Sequence, residues 1–163
     1  MWRSIREETV KEIPIVYKGS VLYNTKVDDS DYELVSKHKW YDTKGYVRTK
    51  IGGKSVAIHT LIMNTPKGME IDHINHDPSD NRRENLRICT RSENCSHRAK
   101  FKSNISGYKG VSWAPKEHLY RASIKKDGKY IGLMKSTDPV EAARAYDKAA
   151  LELHGEFAVI NGV

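Results

Sequence analysis

The stretch EIDHINHDPSDNRRENLRICTRSENCSHR sets Asp72 and His73 side by side, then Asn85, then Asn94. Hydrolysis of a phosphodiester needs a water made nucleophilic, counter-charge for the transition state and help for the leaving alkoxide. An imidazole such as His73 can take the proton. Asp72 offers an anionic oxygen and Asn94 a neutral carbonyl oxygen, the hard donors that Mg²⁺ or Mn²⁺ accepts while keeping water and phosphate in its other positions. Read singly, each Asp or Asn is an ordinary turn or cap residue; the set with its spacing carries the chemical reading.

These residues require elements to hold them. Met69 to Ile74 reads as a strand, Asn75 to Glu84 as a polar loop and Leu86 to Thr90 as a second strand. Thr90 followed by Glu93 is a capping box that opens a helix over Thr90 to Arg98. Neighbouring residues of a strand point to opposite faces, so Asp72 and His73 can share a site only if the strand ends there. Upstream, Ile13 to Tyr17, Val21 to Tyr23 and Gly45 to Val47 read as short strands and Asp31 to Lys39 as a helix. VAIHTLIM is either a buried strand or a short helix, which periodicity does not separate over so few residues.

The strand, loop, strand, helix order and the spacing of Asp72, His73, Asn85 and Asn94 resemble the HNH endonucleases of phage and bacterial homing type, whose ββα-metal core has that order. Upstream, IPIVYKG, KWYDTKGYV and HTLIMNTPKGMEIDHIN extend the likeness over roughly Ile13 to Arg98. The resemblance implies His73 as general base, Asp72 and Asn94 as ligands of one divalent metal, Mg²⁺ or Mn²⁺, and Asn85 as the asparagine that pins the loop. His76 stands where the family pattern has glycine, and Thr60 where it has arginine. Arg82 and Arg83, beside such a site, are candidates for DNA backbone contacts. His59, His76 and His97 read as packing or surface residues.

Lys100 to Ser106 is basic, polar and without periodicity, and reads as a linker. Beyond it, Lys109 to Trp113, Tyr120 to Lys125 and Lys129 to Met134 read as three strands, the last two joined at Asp127-Gly128. A helix then opens with Asp138 as cap, Pro139 at its first position and Glu141 completing a capping box, presents Ala142, Ala145, Tyr146, Ala149 and Leu153 on one face, and stops at Gly155. Strand alternation puts Tyr120, Ala122 and Ile124 on a core face and Arg121, Ser123 and Lys125 on the other. Trp113 shares the face of Val111 and reads as core.

KGV, YRASI, GKYIGL, EAARAYDKAA and Asn161 resemble the APETALA2/ethylene-response-factor DNA-binding domain. The resemblance implies DNA-facing positions at Lys109, Arg121, Lys125 and Tyr130, with Ser112 and Ala114 where plant members have arginines. Lys126 and Lys129 are further candidates for phosphate contacts.

The expected fold class is therefore α+β: a β-rich N-terminal segment (1–50), a ββα-metal core (51–99), a basic linker (100–106) and a three-stranded antiparallel sheet packed on one helix (107–163). A net charge of +7 favours a polyanionic partner. It is spread along the chain, with 10 basic against 8 acidic residues in 1–50, 8 against 6 in 51–100 and 10 against 7 in 101–163, so a basic surface must be assembled by folding. No apolar run reaches the roughly 18 residues of a membrane span, and the first residues lack a signal-peptide core. A cytoplasmic location, in a bacterium or a phage-infected host, follows as the expectation. Cys89 and Cys95 are expected to be reduced; with His97 they invite a zinc reading, but no CxxC pair supplies the usual four ligands.

The sequence thus points to a metal-dependent endonuclease acting on double-stranded DNA without a small-molecule cofactor, with nicking as the default for a monomer. A DNA-binding regulator on an inactive nuclease fold and an RNA-directed nuclease are the competing readings. The intact Asp72, His73 and Asn94 weigh against the first and the C-terminal module against the second.

Overall fold

The computed structural model describes residues 9–100 and 103–163. The start of the N-terminal segment and two positions of the linker reading, Phe101 and Lys102, lie outside the described residues. The chain divides into two compact units, Met1–Cys89 and Thr90–Val163, each mixing small sheets with helices in an α+β fold.

In the first unit, β1 (Val10–Tyr17) and β2 (Ser20–Asp28) form an antiparallel hairpin. Its two-residue turn, Lys18-Gly19, has positive φ at both positions (48° and 84°), the backbone that matches the twist of paired strands. Helix α1 (Asp29–Ser36) follows, then the meander β3 (Tyr41–Thr43), β4 (Tyr46–Ile51) and β5 (Lys54–Ala57). The ambiguous VAIHTLIM divides between the two readings: Val56 and Ala57 end β5, and Ile58–Met63 is helix α2. Ile58 and Ile62, four residues apart, point into the core with Ile13, Ile15, Val27, Val35, Trp40 and Val47. Strands β6 (Glu70–His73) and β7 (Leu86–Cys89) pair antiparallel, setting Asp72 opposite Arg87 and His73 opposite Leu86. Ile71 and Leu86 anchor this pair in the same core.

The second unit opens with α3 (Arg91–His97), whose capping box forms as the sequence requires: Thr90 Oγ1 accepts from Glu93 N and the Glu93 carboxylate accepts from Thr90 N at 2.7 Å. Strands β8 (Val111–Ala114), β9 (Leu119–Lys126) and β10 (Lys129–Ser136) make an antiparallel sheet with β9 central. Helix α4 (Pro139–His154) packs on it. Asp127-Gly128 makes the β9–β10 turn with φ of 49° and 81°. The Asp138 side chain caps α4 by accepting from Val140 N, but Glu141 turns to the Ser136 hydroxyl instead of completing a capping box. The buried stripe of α4 is Ala142, Ala143, Tyr146, Asp147 and Ala150, a rotation away from the expected face, with Ala145, Ala149 and Leu153 half-buried. Asp147 accounts for part of that rotation, because its carboxylate accepts from Asn161 N and Gly162 N and holds the C-terminal segment on the helix. Gly110, at φ 75°, lies so close to the Tyr146 ring that an added Cβ would fall 1.9 Å from it. Within the linker stretch, Asn104 and Ser106 hydrogen-bond to the carbonyls of Tyr108 and Val111. No described helix is long and apolar enough to cross a membrane.

Candidate nuclease site

β6 ends at His73, and the chain turns at once into the loop that separates it from β7. Asp72 and His73 are both buried, 6% and 7% exposed. Oδ2 of Asp72 accepts from Arg87 Nε at 2.8 Å and stands 2.8 Å from Nη2, a pairing set by their opposed positions on β6 and β7. His73 meets the His59 ring edge-on, with centroids 5.1 Å apart. Burial lowers the pKa of the His73 imidazole, against the opposing pull of the Asn81 hydrogen bond and the Asp72, Asp77 and Asp80 charges. The neutral ring that results is the form a base requires. The same desolvation, with His73 and Arg48 nearby, brings His59 down to about 4.

The loop between the strands is held by its own polar side chains. Asn85 donates Nδ2 to the Asp80 carbonyl at 2.8 Å and accepts from Asn75 N at 2.9 Å, joining the two ends of the loop. Asp80 receives Asn75 Nδ2 and the Nε and Nη2 of Arg82, and the Arg82 hydrogen bonds lower the Asp80 pKa. Asp77 accepts from Ser79 N and Oγ. Residue 76 of this loop has φ of 62°, the left-handed backbone that suits the family's glycine; His76 adopts it at a cost of order 1 kcal/mol.

The first hairpin, to which the sequence reading gives strands but no part in the chemistry, carries this loop. Lys26 N donates to Ser79 O and Asn81 N to Lys26 O, each at 2.8 Å, so the loop adds a short parallel rung to β2. Thr25 Oγ1 donates to Ser79 O at 2.7 Å, and Asp28 accepts from Arg83 N at 2.7 Å. Thr25 and Asn81 are fully buried. Sequence reasoning missed both; the one local signal is Asn81 standing beside the assigned residues in SDNRREN.

Arg82 and Arg83 point into this network. Arg82 clasps Asp80 and pairs with Glu84. The Arg83 guanidinium forks onto Asp31 of α1 at 2.7 and 2.8 Å and donates to the Ile62 carbonyl at the end of α2. Each arginine is thus engaged by partners within its own unit.

A divalent cation of the magnesium type keeps several waters and needs only one or two protein oxygens. Asp72 supplies one such oxygen from a hard anionic carboxylate, so the donor type fits a sparsely ligated hard cation, with which Arg87 on Oδ2 would compete. Among the described residues no group of three or more His, Cys, Asp and Glu stands together as a cage for a metal. Asn94 is half-buried on α3 in the second unit, where its N–H bonds the Thr90 carbonyl.

On the second unit, Arg121 and Lys125 are exposed on the face of β9 opposite the buried Ala122 and Ile124. Tyr130, 76% exposed, pairs with Lys125, whose ammonium lies 5.4 Å from the ring centre. Lys129 is exposed at the β9–β10 turn, and Arg121 and Lys135 both pair with Glu117. Lys109 and Lys126 turn inward. Lys109 Nζ donates to Ser96 O at 2.6 Å, with burial pushing its ammonium down to about 8, and Lys126 Nζ donates to Leu153 O at the end of α4. Trp113 is 40% exposed with its ring against Tyr120, which corrects its reading as core: it sits toward the rim of the sheet, outside the helix-covered interior.

Residues 64–95 match the profile of a family of HNH endonucleases. The chain is 34% identical over 138 residues to the uncharacterized HNH endonuclease L560 of Acanthamoeba polyphaga mimivirus, a match covering 81% of this chain and 71% of that protein. It is 37% identical over 93 residues to protein 3.8 of Escherichia phage T7, covering 57% and 76%. A third relative, from the SPbeta prophage of Bacillus subtilis (strain 168) and provisionally named an HNH homing endonuclease, is 32% identical over 114 residues, covering 66% and 64%.

Proposed function

Because the chain belongs to the HNH endonuclease family, and so is a nuclease, we propose that it nicks double-stranded DNA in a homing-type reaction with His73 as general base and one divalent metal. The observation that carries this reading is the buried Asp72-His73 pair at the end of β6, above a loop that Asn85 closes. His73, held neutral by burial, takes a proton from the attacking water. Asp72 would hold Mg²⁺ or Mn²⁺, and the assignment of Asn94 as its companion ligand rests on the sequence resemblance. When bound, the cation supplies charge to the scissile phosphate and the leaving oxygen. Arg87 keeps Asp72 compensated until then; a buried carboxylate without a partner would cost several kcal/mol.

The second unit serves in this proposal as an APETALA2-like module that holds the duplex by its exposed sheet face. Arg121, Lys125, Lys129 and Tyr130 are the contacts supported by their exposure. The internal partners of Arg82, Arg83, Lys109 and Lys126 favour structural duties for those four.

Supercoiled plasmid incubated with the protein and Mg²⁺ or Mn²⁺, with and without chelator, tests the reading. Open circles should form only with metal, and His73→Ala should slow their formation by about 100-fold or more. If neither protein cuts and both retard duplex DNA in a gel, the chain is a DNA-binding regulator and the catalytic assignment fails.

A further inference from the structure

His73 Nε2 lies 3.2 Å from Asn81 Oδ1. Which of the two nitrogens of His73 carries its proton depends on which end of the Asn81 amide faces it, and the rest of the network decides that. On the far side, Asn81 Nδ2 is 2.8 Å from Thr25 Oγ1 and 3.1 Å from the Pro78 carbonyl. A carbonyl oxygen only accepts. Thr25 Oγ1 spends its one hydrogen on Ser79 O at 2.7 Å, and so toward Asn81 it too only accepts. Both positions demand the NH₂ group, which leaves the amide oxygen toward the imidazole. An amide oxygen cannot donate, so Nε2 must carry the hydrogen of the neutral ring and Nδ1 carries none.

We propose that Asn81 is a positioning residue that holds His73 in its Nε2–H tautomer and thereby makes Nδ1 the nitrogen that accepts the proton from water. The inference rests on the reading of His73 as the base and adds the atom and the device that selects it. Asn81 and Thr25 are both fully buried, and the loop around Asn81 is stitched to β2 through Lys26, so the selection exists before substrate arrives. The hairpin β1–β2 has a role on this account: Thr25 is the far end of a relay that runs from β2 through Asn81 to the imidazole.

The experiment is a long-range proton–nitrogen spectrum of the full-length protein labelled with ¹⁵N-histidine, at a pH where His73 is neutral, with the His73 signals identified by their loss in His73→Gln. The Nε2–H tautomer should dominate in the wild type, a result that needs no variant. In Asn81→Ala the two tautomers should mix, and plasmid nicking should lose about 10- to 100-fold in kcat with KM for DNA unchanged. Thr25→Val, which keeps shape and removes the far acceptor, should give a smaller loss of the same kind. A dominant Nδ1–H tautomer in the wild type, or a folded Asn81→Ala with wild-type kcat, overturns the inference while an inactive His73→Ala leaves the base assignment standing. A His73→Ala that nicks at the wild-type rate overturns both.

Discussion

The loop of the first unit and the outer sheet face of the second both carry cationic side chains and use them in opposite ways. Between β6 and β7, Asn75, Asp77, Asp80, Asn81, Arg82, Arg83 and Asn85 each hydrogen-bond or pair within their own unit. On the sheet face, Lys125 and Tyr130 lie exposed against each other, and Lys129 reaches into solvent at the turn. A base must be held to a fraction of an ångström, which requires polar groups that satisfy one another away from water. A phosphate contact gains from reach and solvation, and exposed cations on a rigid sheet provide both. Both places carry cations, but those of the loop are matched by Asp80 and Asp31 while Lys125 and Lys129 face solvent; burial and pairing separate a reacting centre from a binding surface.

If that contrast is right, the loop should be fragile and the sheet face tolerant. The largest effect is expected at Asn85, where Asn85→Ala leaves the Asp80 carbonyl and the Asn75 N–H without their partner. Unfolding by urea should show a loss of about 2–4 kcal/mol, and nicking should fall with it. A variant of near wild-type stability would mean that the loop holds its shape without the pin, and the contrast would collapse.

A second test uses acid. His59, packed edge-on against His73, has a pKa of about 4 against an ordinary 6.5. Its folded-state value is the lower one, so above pH 6.5 the neutral ring adds no pH dependence. As pH falls from 6.5 toward 4 the unfolded chain takes up a proton that the folded chain resists, and stability should drop with a slope of up to about 1.4 kcal/mol per pH unit. Below 4 the contribution levels off. Urea midpoints across this range should be flatter for His59→Gln than for the wild type; equal slopes would place the imidazole in contact with water.

The elements of the site were legible because they are local. Alternation of apolar residues marks β6 and β7, Thr90 and Glu93 sit at capping-box spacing, and Asp127-Gly128 is a turn by its own backbone preference. The relay from Thr25 to Asn81 was not legible, since the two are 56 residues apart and neither breaks any pattern around it. Arg82 and Arg83 read as candidates for DNA backbone contacts because residue type reports a charge and not its partner; Asp80 meets Arg82 within the loop itself, and Asp31 meets Arg83 only when α1 and the loop fold together. For the same reason Glu141 looked like the second half of a cap, until Ser136 is seen to occupy its carboxylate. VAIHTLIM divided at Ile58 because the core takes residues four apart there, a tertiary demand that a short apolar run does not reveal.

The smallest effect sharpens the comparison best, because it sets one cation of each region against the other. Lys125 is exposed on the sheet, whereas Arg83 grips an Asp31 carboxylate that is only 6% exposed. Lys125→Ala should leave stability within about 0.5 kcal/mol of the wild type and weaken duplex binding a few-fold. The plot of log affinity against log salt should become shallower by about 0.9, the signature of one lost phosphate contact. Arg83→Ala should do the reverse, lowering stability by about 1–2 kcal/mol, since Arg83 itself is half-exposed, with the salt slope unchanged. Binding titrations at several salt concentrations beside urea unfolding of the same two variants separate the cases. A shallower slope for Arg83→Ala without loss of stability would return that arginine to the DNA backbone, and the loop would then be part of the binding surface as well as the seat of the base.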